Sequence, residues 1–203
     1  MLPLPEVVTF GEGSGCDMKK ALLIFGILTM AVIMAGRGSA MGTSGNKGIG
    51  AMRSWTPGKV KIFDYESKRV VIVDKIVKSE EEYAKQLPAD VCMIVRKQGT
   101  EAPFSGKYVN NHKKGIYKCV VCGTDLFLSD TKFDSGTGWP SFFQPVSPLN
   151  IFEESDNSAG MIRTEVRCAR CGSHLGHVFD DGPKPTGMRY CMNSAALIFK
   201  EIK

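Results

Sequence analysis

The pattern of apolar and polar positions changes several times along the chain. An unbroken apolar run covers residues 21–36 and has no polar face. Two β-branched runs, Val60–Phe63 and Val70–Val73, follow with a polar turn between them, which predicts a hairpin. Beyond Gly99, short apolar stretches alternate with Gly, Pro, Asn and Asp, and helical periodicity is lost. This pattern predicts a mainly β protein.

Two short helices are predicted between the hairpin and the β region. Ser79 and Glu82 have the spacing of a capping box, so a helix should begin there and run to Leu87. A second helix is predicted over residues 90–97 and places Cys92 on its apolar face. These two helices would form a small N-terminal helical subdomain.

The remaining chain is predicted to form a catalytic body of two antiparallel sheets. Its strands are expected at Gly115–Cys119, Asp125–Leu128, Met161–Arg167, His177–Phe179 and Arg189–Phe199.

The N-terminal region has the order of a secretory signal. Residues 18–40 contain Lys19 and Lys20, then the apolar run, then small residues. The run is shorter than the roughly 20 residues of a bilayer span, although an uncleaved anchor remains an alternative. We expect an exported protein, in the periplasm or another extracytoplasmic space. If the leader is uncleaved, the protein is anchored at the outer face of the inner membrane, and this segment makes the sole membrane contact.

Three further segments complete the predicted organisation. Residues 1–17 form an extension that is unusual before a signal peptide, and we expect translation to start at Met18. Residues 41–56 are rich in Gly, Ser and Asn and predict a flexible linker, and residues 57–203 form the folded domain. The net charge of +5 is modest and the lysines are scattered, so nucleic-acid binding is not expected.

Two Cys-x-x-Cys knuckles are the most specific local pattern, and a glycine follows each one. They are Cys119, Cys122 and Gly123, then Cys168, Cys171 and Gly172. Four thiolates in two such pairs predict one tetrahedral zinc ion with a structural role, because a closed shell leaves no position for substrate. The glycines suit a turn with positive φ. A pair of disulfides, or four unconnected buried thiols, is the alternative.

Several ordered motifs carry a family resemblance that covers about Val77 to Ile202. They are GTEAPFSG at 99–106, FDSGTGWPSF at 133–142, HLGHVF at 174–179 and the segment around Cys191. With both knuckles, these motifs resemble methionine-R-sulfoxide reductases of the B type. The resemblance implies reduction of the R epimer of free or protein-bound methionine sulfoxide, with Cys191 as nucleophile. It also implies a thiol reductant such as thioredoxin, and a zinc clamp away from the active site.

The chemistry of sulfoxide reduction assigns roles to these residues. The reaction needs a thiolate, an acid and an apolar slot for the S-methyl group. Arg189 lies two residues from Cys191 on the same strand face and favours its thiolate, and Asn193 can hold a polar group or water nearby. His174 and His177 are candidate acids.

The substrate site is assigned partly by chemistry and partly by the resemblance. Trp139 offers a wall for the methyl group, and the resemblance adds Phe179 and Asp181. Each role has a plainer alternative. Cys191 and Trp139 could be core residues, the histidines could be core residues or metal ligands, Arg189 could form a surface ion pair, and Asp181 could be a turn former.

The chain departs from many relatives in how the enzyme is recycled. Thr137 occupies the position where many of them carry a resolving cysteine. Cys92 is the one internal candidate left, although it is most simply a core residue. We therefore expect an external thiol to reduce the Cys191 sulfenic acid directly. A non-catalytic zinc-ribbon interaction module and a general disulfide oxidoreductase are the alternative functions.

Overall fold

The computed structural model describes residues 55–202. Within them, a hairpin is followed by two helices, as predicted. The elements are β1 (Lys59–Asp64), β2 (Arg69–Asp74), α1 (Glu80–Gln86) and α2 (Ala89–Lys97). The predicted capping box is present, because Ser79 and Glu82 each accept the other's backbone N–H.

Nine strands follow, and they form two antiparallel sheets. They are β3 (Gly115–Cys119), β4 (Asp125–Leu128), β5 (Lys132–Phe133), β6 (Ser141–Phe142), β7 (Ile151–Asp156), β8 (Arg163–Cys168), β9 (His174–Phe179), β10 (Arg189–Met192) and β11 (Leu197–Glu201). One sheet has the order β5-β6-β10-β9-β8-β7 and the other β11-β3-β4, while β1 and β2 pair separately. The predicted mainly β body of two sheets is confirmed.

The hydrophobic core lies between these sheets and under α2. Tyr117, Phe127 and Phe142 are fully buried, and Phe127 stacks on Phe142 with ring centroids 4.5 Å apart. Val95 on α2 and Leu175 on β9 join the same cluster. This packing fixes β9 and β10, the two central strands on which the candidate site is built.

The predicted strand Arg189–Phe199 is wrong as a single element. The chain leaves the six-stranded sheet after Met192, makes a turn of 3-10 helix at Ser194–Ala196 and enters the other sheet as β11. The Glu101 carboxylate accepts the backbone N–H groups of Ser194 and Ala195, at 2.6 and 3.0 Å. This distant carboxylate stabilises the corner, so periodicity along the segment could not reveal the break.

Strands β5, β6 and β7 were not predicted, and two strand starts were misplaced. β5 and β6 have two residues each, too few to show an alternation. β7 contains Glu153, Glu154 and Asp156, which mask the apolar alternation that indicates a strand. β8 begins at Arg163 rather than Met161, and β9 at His174 rather than His177. The longer β9 carries both histidines on one strand.

The predicted extension, signal peptide and most of the linker lie outside the described residues. Between residues 55 and 202, no helix is long and apolar enough to cross a membrane. Trp55, which the linker prediction included, contacts the body. Its indole N–H donates to the Arg170 carbonyl at 3.3 Å, and its ring meets Phe152 edge-on.

Candidate active site and metal centre

The four knuckle cysteines come together at the ends of β3 and β8. Their sulfurs all lie within 4.8 Å of one another. The Sγ atoms of Cys119 and Cys171 are 3.6 Å apart, and those of Cys122 and Cys168 are 3.5 Å apart. A tetrahedron with Zn–S bonds of about 2.3 Å places its sulfurs about 3.8 Å apart, so the cluster fits zinc. The four residues are thiols rather than disulfides.

The turns and electrostatics of the knuckles support metal binding. Gly123 and Gly172 have φ of 71° and 69°, as predicted. Hydrogen bonds between the sulfurs, first of all that with Cys122, raise the pKa of the Cys119 thiol well above its usual value. The reciprocal bond from Cys119 holds the pKa of Cys122 well below its usual value. Thiolates rather than thiols bind a divalent cation, so metal binding here would release the protons of these thiols.

Cys191 lies in the central part of the six-stranded sheet and opens into a cavity of about 130 Å³. On the neighbouring strand, His177 is its direct partner in the register. The cavity is lined by Thr100, Trp139, Arg163, Gly176, His177, Phe179, Cys191, Met192 and Asn193. Cys191 therefore shares this cavity with four other predicted site residues, namely His177, Trp139, Phe179 and Asn193. His174, Arg189 and Asp181 are not among the residues that line it.

Close packing of two strands brings Cys191 next to His177. A Cβ at Gly176 would overlap the Cys191 carbonyl oxygen and crowd Met192 Cα. Glycine therefore lets β9 approach β10 at this point. The Trp139 indole N–H donates to the Glu101 carbonyl at 3.1 Å, which fixes the ring against the cavity.

Opposing effects set the protonation of Cys191. Burial raises the pKa of its thiol, and this effect outweighs the others. The Thr137 hydroxyl, 3.9 Å from the sulfur, acts in the opposite direction, as do the Arg189 charge and Ser141. Without substrate, the site therefore favours the thiol, while the groups that would stabilise a thiolate are already in place.

His177 belongs to a short chain of ionisable groups. Its Nε2 lies 2.8 Å from Asp156 Oδ2, to which Arg163 also donates at 2.7 Å. Burial works to raise the pKa of Asp156, but hydrogen bonds from Ser158 and His177 and the Arg163 charge hold it well below its usual range. Burial lowers the pKa of His177, and its bond to Asp156 offsets part of that effect. A neutral His177 next to an ionised Asp156 follows.

His174 has a different environment. It is 1% exposed, and its Nδ1 lies 2.7 Å from Glu165 Oε1. Gln98 donates to the other oxygen of Glu165 at 2.9 Å. The His174 and His177 rings are 5.4 Å apart, and His174 Nε2 has no hydrogen-bond partner within residues 55–202. The four-cysteine cluster is the metal-ligand group found in that range, and neither histidine is part of it.

Arg189 and Asp181 form an ion pair beside the cavity. Two parallel hydrogen bonds of 2.8 Å join the guanidinium to the carboxylate. The guanidinium also lies over the Phe179 ring, 4.3 Å from its centroid. The Asp181 side chain is largely exposed and forms its ion pair with Arg189. The pair thus holds the guanidinium over the Phe179 ring, and the Arg189 charge lowers the pKa of Cys191.

Asn193 lies at the corner after β10 and is 2% exposed. Its amide oxygen accepts from the Glu101 backbone N–H at 3.1 Å, and its amide nitrogen donates to the Leu175 carbonyl at 3.2 Å. A continuous strand Arg189–Phe199, as predicted, would carry Asn193 on the same face as Cys191, which is wrong because β10 ends at Met192. One of its amide hydrogens remains for a group in the cavity.

Sequence reasoning missed four polar residues of the site. Asp156 and Arg163 come from the ends of β7 and β8, and Thr100 and Ser141 from segments far away in sequence. The first two are direct partners in the β7–β8 register. Recognising β7 as a strand next to β8 would have revealed that pair.

The chain is similar in sequence to proteins of one known family. The sequence profile of the SelR domain matches residues 87–201. The peptide methionine sulfoxide reductase MsrB of Agrobacterium fabrum is 52% identical over 128 residues, which are 63% of this chain and 95% of that protein. Its namesake in Bradyrhizobium diazoefficiens is 54% identical over 132 residues, or 65% and 95%. That of Methanosarcina mazei is 56% identical over 126 residues, or 62% and 90%.

The family match spans the elements that build both centres, from the end of α1 to β11. The match at this identity covers nearly the whole length of each relative. The chain therefore belongs to the SelR-domain family of peptide methionine sulfoxide reductases of the MsrB type, oxidoreductases that act on a sulfur group.

Proposed function

We propose that this chain reduces the R epimer of methionine sulfoxide, free or in oxidised proteins, to methionine. The observation that carries the proposal is the pairing of Cys191 with His177 beside a cavity walled by Trp139 and Phe179. A binding module or a general disulfide oxidoreductase needs no apolar slot next to its thiol. The S-methyl group would pack against Trp139 and the sulfoxide oxygen would face His177.

The resting protonation states suggest how the proton moves. Ionised Asp156 accepts the Nε2–H of His177, which leaves Nδ1 able to take the Cys191 proton. The thiolate sulfur then attacks the sulfoxide sulfur and forms an S–S bond with it, while the imidazolium protonates the sulfoxide oxygen. The hydroxyl then transfers to the Cys191 sulfur as the S–O and S–S bonds to the substrate sulfur break, so Cys191 becomes a sulfenic acid and methionine is released. The Cys191 sulfur loses two electrons and the substrate sulfur gains them.

Stereospecificity tests the proposal most directly. Purified protein should reduce the R epimer of dabsyl-methionine sulfoxide and leave the S epimer unchanged. The three substituents of the sulfoxide sulfur, namely the methyl group, the oxygen and the rest of the side chain, must each contact a different side of the cavity. Equal rates on both epimers would refute the proposed orientation. Disulfide reduction without sulfoxide turnover would favour the disulfide oxidoreductase.

His177→Ala is expected to lower the rate of sulfoxide reduction by roughly 10²–10⁴-fold, since it removes the proposed proton carrier. His174→Ala should have a smaller effect because His174 does not line the cavity. In the wild type, the rate should fall as pH drops through the lowered pKa of His177, and this acid limb should vanish in His177→Ala. Single-turnover rates of the wild type and the two variants, measured as a function of pH, give both the loss of rate and the acid limb. His112→Ala, which removes an exposed histidine, is the matched control. A larger loss of rate in His174→Ala than in His177→Ala would exchange the roles of the two histidines.

Recycling by an external thiol, such as a thioredoxin-like protein, is proposed because Thr137 rather than a thiol contacts Cys191. Cys92 is fully buried on α2, which supports a core role. Cys92→Ser should therefore leave multiple-turnover activity unchanged within about twofold. A single turnover followed by arrest would identify Cys92 as the resolving thiol. Mass spectrometry after one turnover without reductant should find sulfenic acid on Cys191.

We also propose that the metal is zinc, that it is structural, and that the enzyme repairs proteins outside the cytoplasm under oxidative stress. The closed shell of four sulfurs supports the structural role. The basic, apolar and small-residue order of residues 18–40 supports export. N-terminal sequencing tests both expectations: a start near Met41 in the mature protein supports cleavage, and recovery of Leu2 from the precursor would refute the start at Met18.

A further inference from the structure

A second cavity, of about 520 Å³, shares no lining residue with the cavity at Cys191. Its volume lies in the range of about 300–1,000 Å³ that is typical of small-molecule sites. It is lined by Trp55 and Thr56, by Val60 and Lys61 of β1, by Lys75 just after β2, by residues of the segment 148–154, and by Arg167 and Ala169 at the end of β8 and just beyond it. The activity proposed above makes no use of it.

Five of the twelve residues that line this cavity precede the SelR match, which begins at residue 87. Hydrogen bonds hold the hairpin on the domain. Asn150 exchanges two with the Phe63 backbone, at 2.7 and 2.8 Å, and Ile76 donates to the Arg170 carbonyl at 2.9 Å. These bonds make the hairpin side a fixed wall of the cavity.

The cavity exposes apolar surface. Leu149 and Phe152 are 41% and 42% exposed, and Trp55 meets Phe152 with ring centroids 6.1 Å apart. Val60 and the buried Ile151 extend the same surface. An aromatic or branched apolar body of a ligand would gain from covering it.

The charged residues around this surface are mainly cationic. Lys61, Lys75 and Arg167 face one carboxylate, that of Glu154. Arg167 is 2% exposed and donates to the Gly172 carbonyl at 2.9 Å and to Glu154 at 3.1 Å. Its Nη2 has no hydrogen-bond partner within the described chain. That atom is fully buried, so Arg167 adds positive charge beneath the cavity rather than a direct contact, and an anion in the cavity would contact Lys61 and Lys75.

We propose that this cavity binds a small amphipathic organic anion, a carboxylate with an aromatic or branched apolar body. The carboxylate faces Lys61 and Lys75, and the apolar body packs between Leu149 and Phe152. Lys75 already lies 4.2 Å from the centroid of the Trp55 ring, so charge and aromatic surface meet at one point. The site binds without chemistry and is independent of Cys191.

Isothermal titration of the zinc-loaded full chain with naphthalene-2-carboxylate tests the site, with the neutral naphthalene-2-carboxamide as the matched probe. We expect one carboxylate per chain and at least tenfold weaker binding of the amide, because the amide lacks the charge. Lys75→Glu should weaken carboxylate binding at least tenfold. Lys85→Glu, an equal charge reversal at an exposed position of α1, should leave it unchanged.

Leu149→Trp is a second test that avoids changing charge. The added ring should fill the cavity and abolish binding, while sulfoxide reduction stays at the wild-type rate. The proposal is overturned if neither probe binds, if the amide binds as tightly as the carboxylate, or if Lys75→Glu has no effect. Displacement of the carboxylate by methionine sulfoxide would also overturn it, because binding would then lie in the Cys191 cavity.

Discussion

Cys191→Ser should abolish methionine sulfoxide reduction, with less than about one per cent of the wild-type rate remaining. The serine hydroxyl is far less acidic than a thiol, so His177 cannot generate an effective nucleophile from it. Thr137 and Arg189 are placed to stabilise a thiolate, and an uncharged hydroxyl gains little from them. The measurement is the single-turnover yield of methionine from the R epimer.

The fold of this variant should survive, which separates loss of chemistry from loss of structure. Serine is smaller than cysteine, and Cys191 is only partly buried. Zinc content and the thermal unfolding midpoint should therefore match the wild type. Residual activity well above one per cent in a variant that is free of wild-type contamination would point to another nucleophile.

Cys168→Ser should release the metal and unfold the domain. Structural zinc contributes free energy of folding on the order of 10 kcal/mol in the tightest small sites, comparable with the whole stability of a domain. The cluster joins the end of β3 to the end of β8, so its loss separates the two sheets. Thermal unfolding and metal analysis by mass spectrometry measure the effect.

Cys191→Ser is the matched control for this prediction, since it removes a sulfur outside the cluster and should keep one zinc per chain. Cys119→Ser should behave like Cys168→Ser, because the sulfurs of Cys119 and Cys171 meet across the two knuckles. A fully active wild-type protein that contains no zinc would rule out the clamp.

The amino-acid sequence by itself determined the features that depend on neighbours within a few residues. The capping box at Ser79, the hairpin, the knuckle turns at Gly123 and Gly172 and the mainly β character all follow from local spacing. The family motifs also identified the SelR domain, since their order along the chain is itself the signal.

The tertiary structure alone decided which distant residues meet. Sheet pairing sets Cys191 next to His177 and brings Asp156 and Arg163 to it from two other strands. The Glu101 carboxylate accepts the Ser194 N–H and so stabilises the corner at which the chain passes from one sheet to the other. Hydrogen bonds and packing across about 90 residues leave no local trace in the chain, so no periodicity predicts them. The same reason hid the cavity beside Trp55, whose walls come from segments that only the folded domain places together.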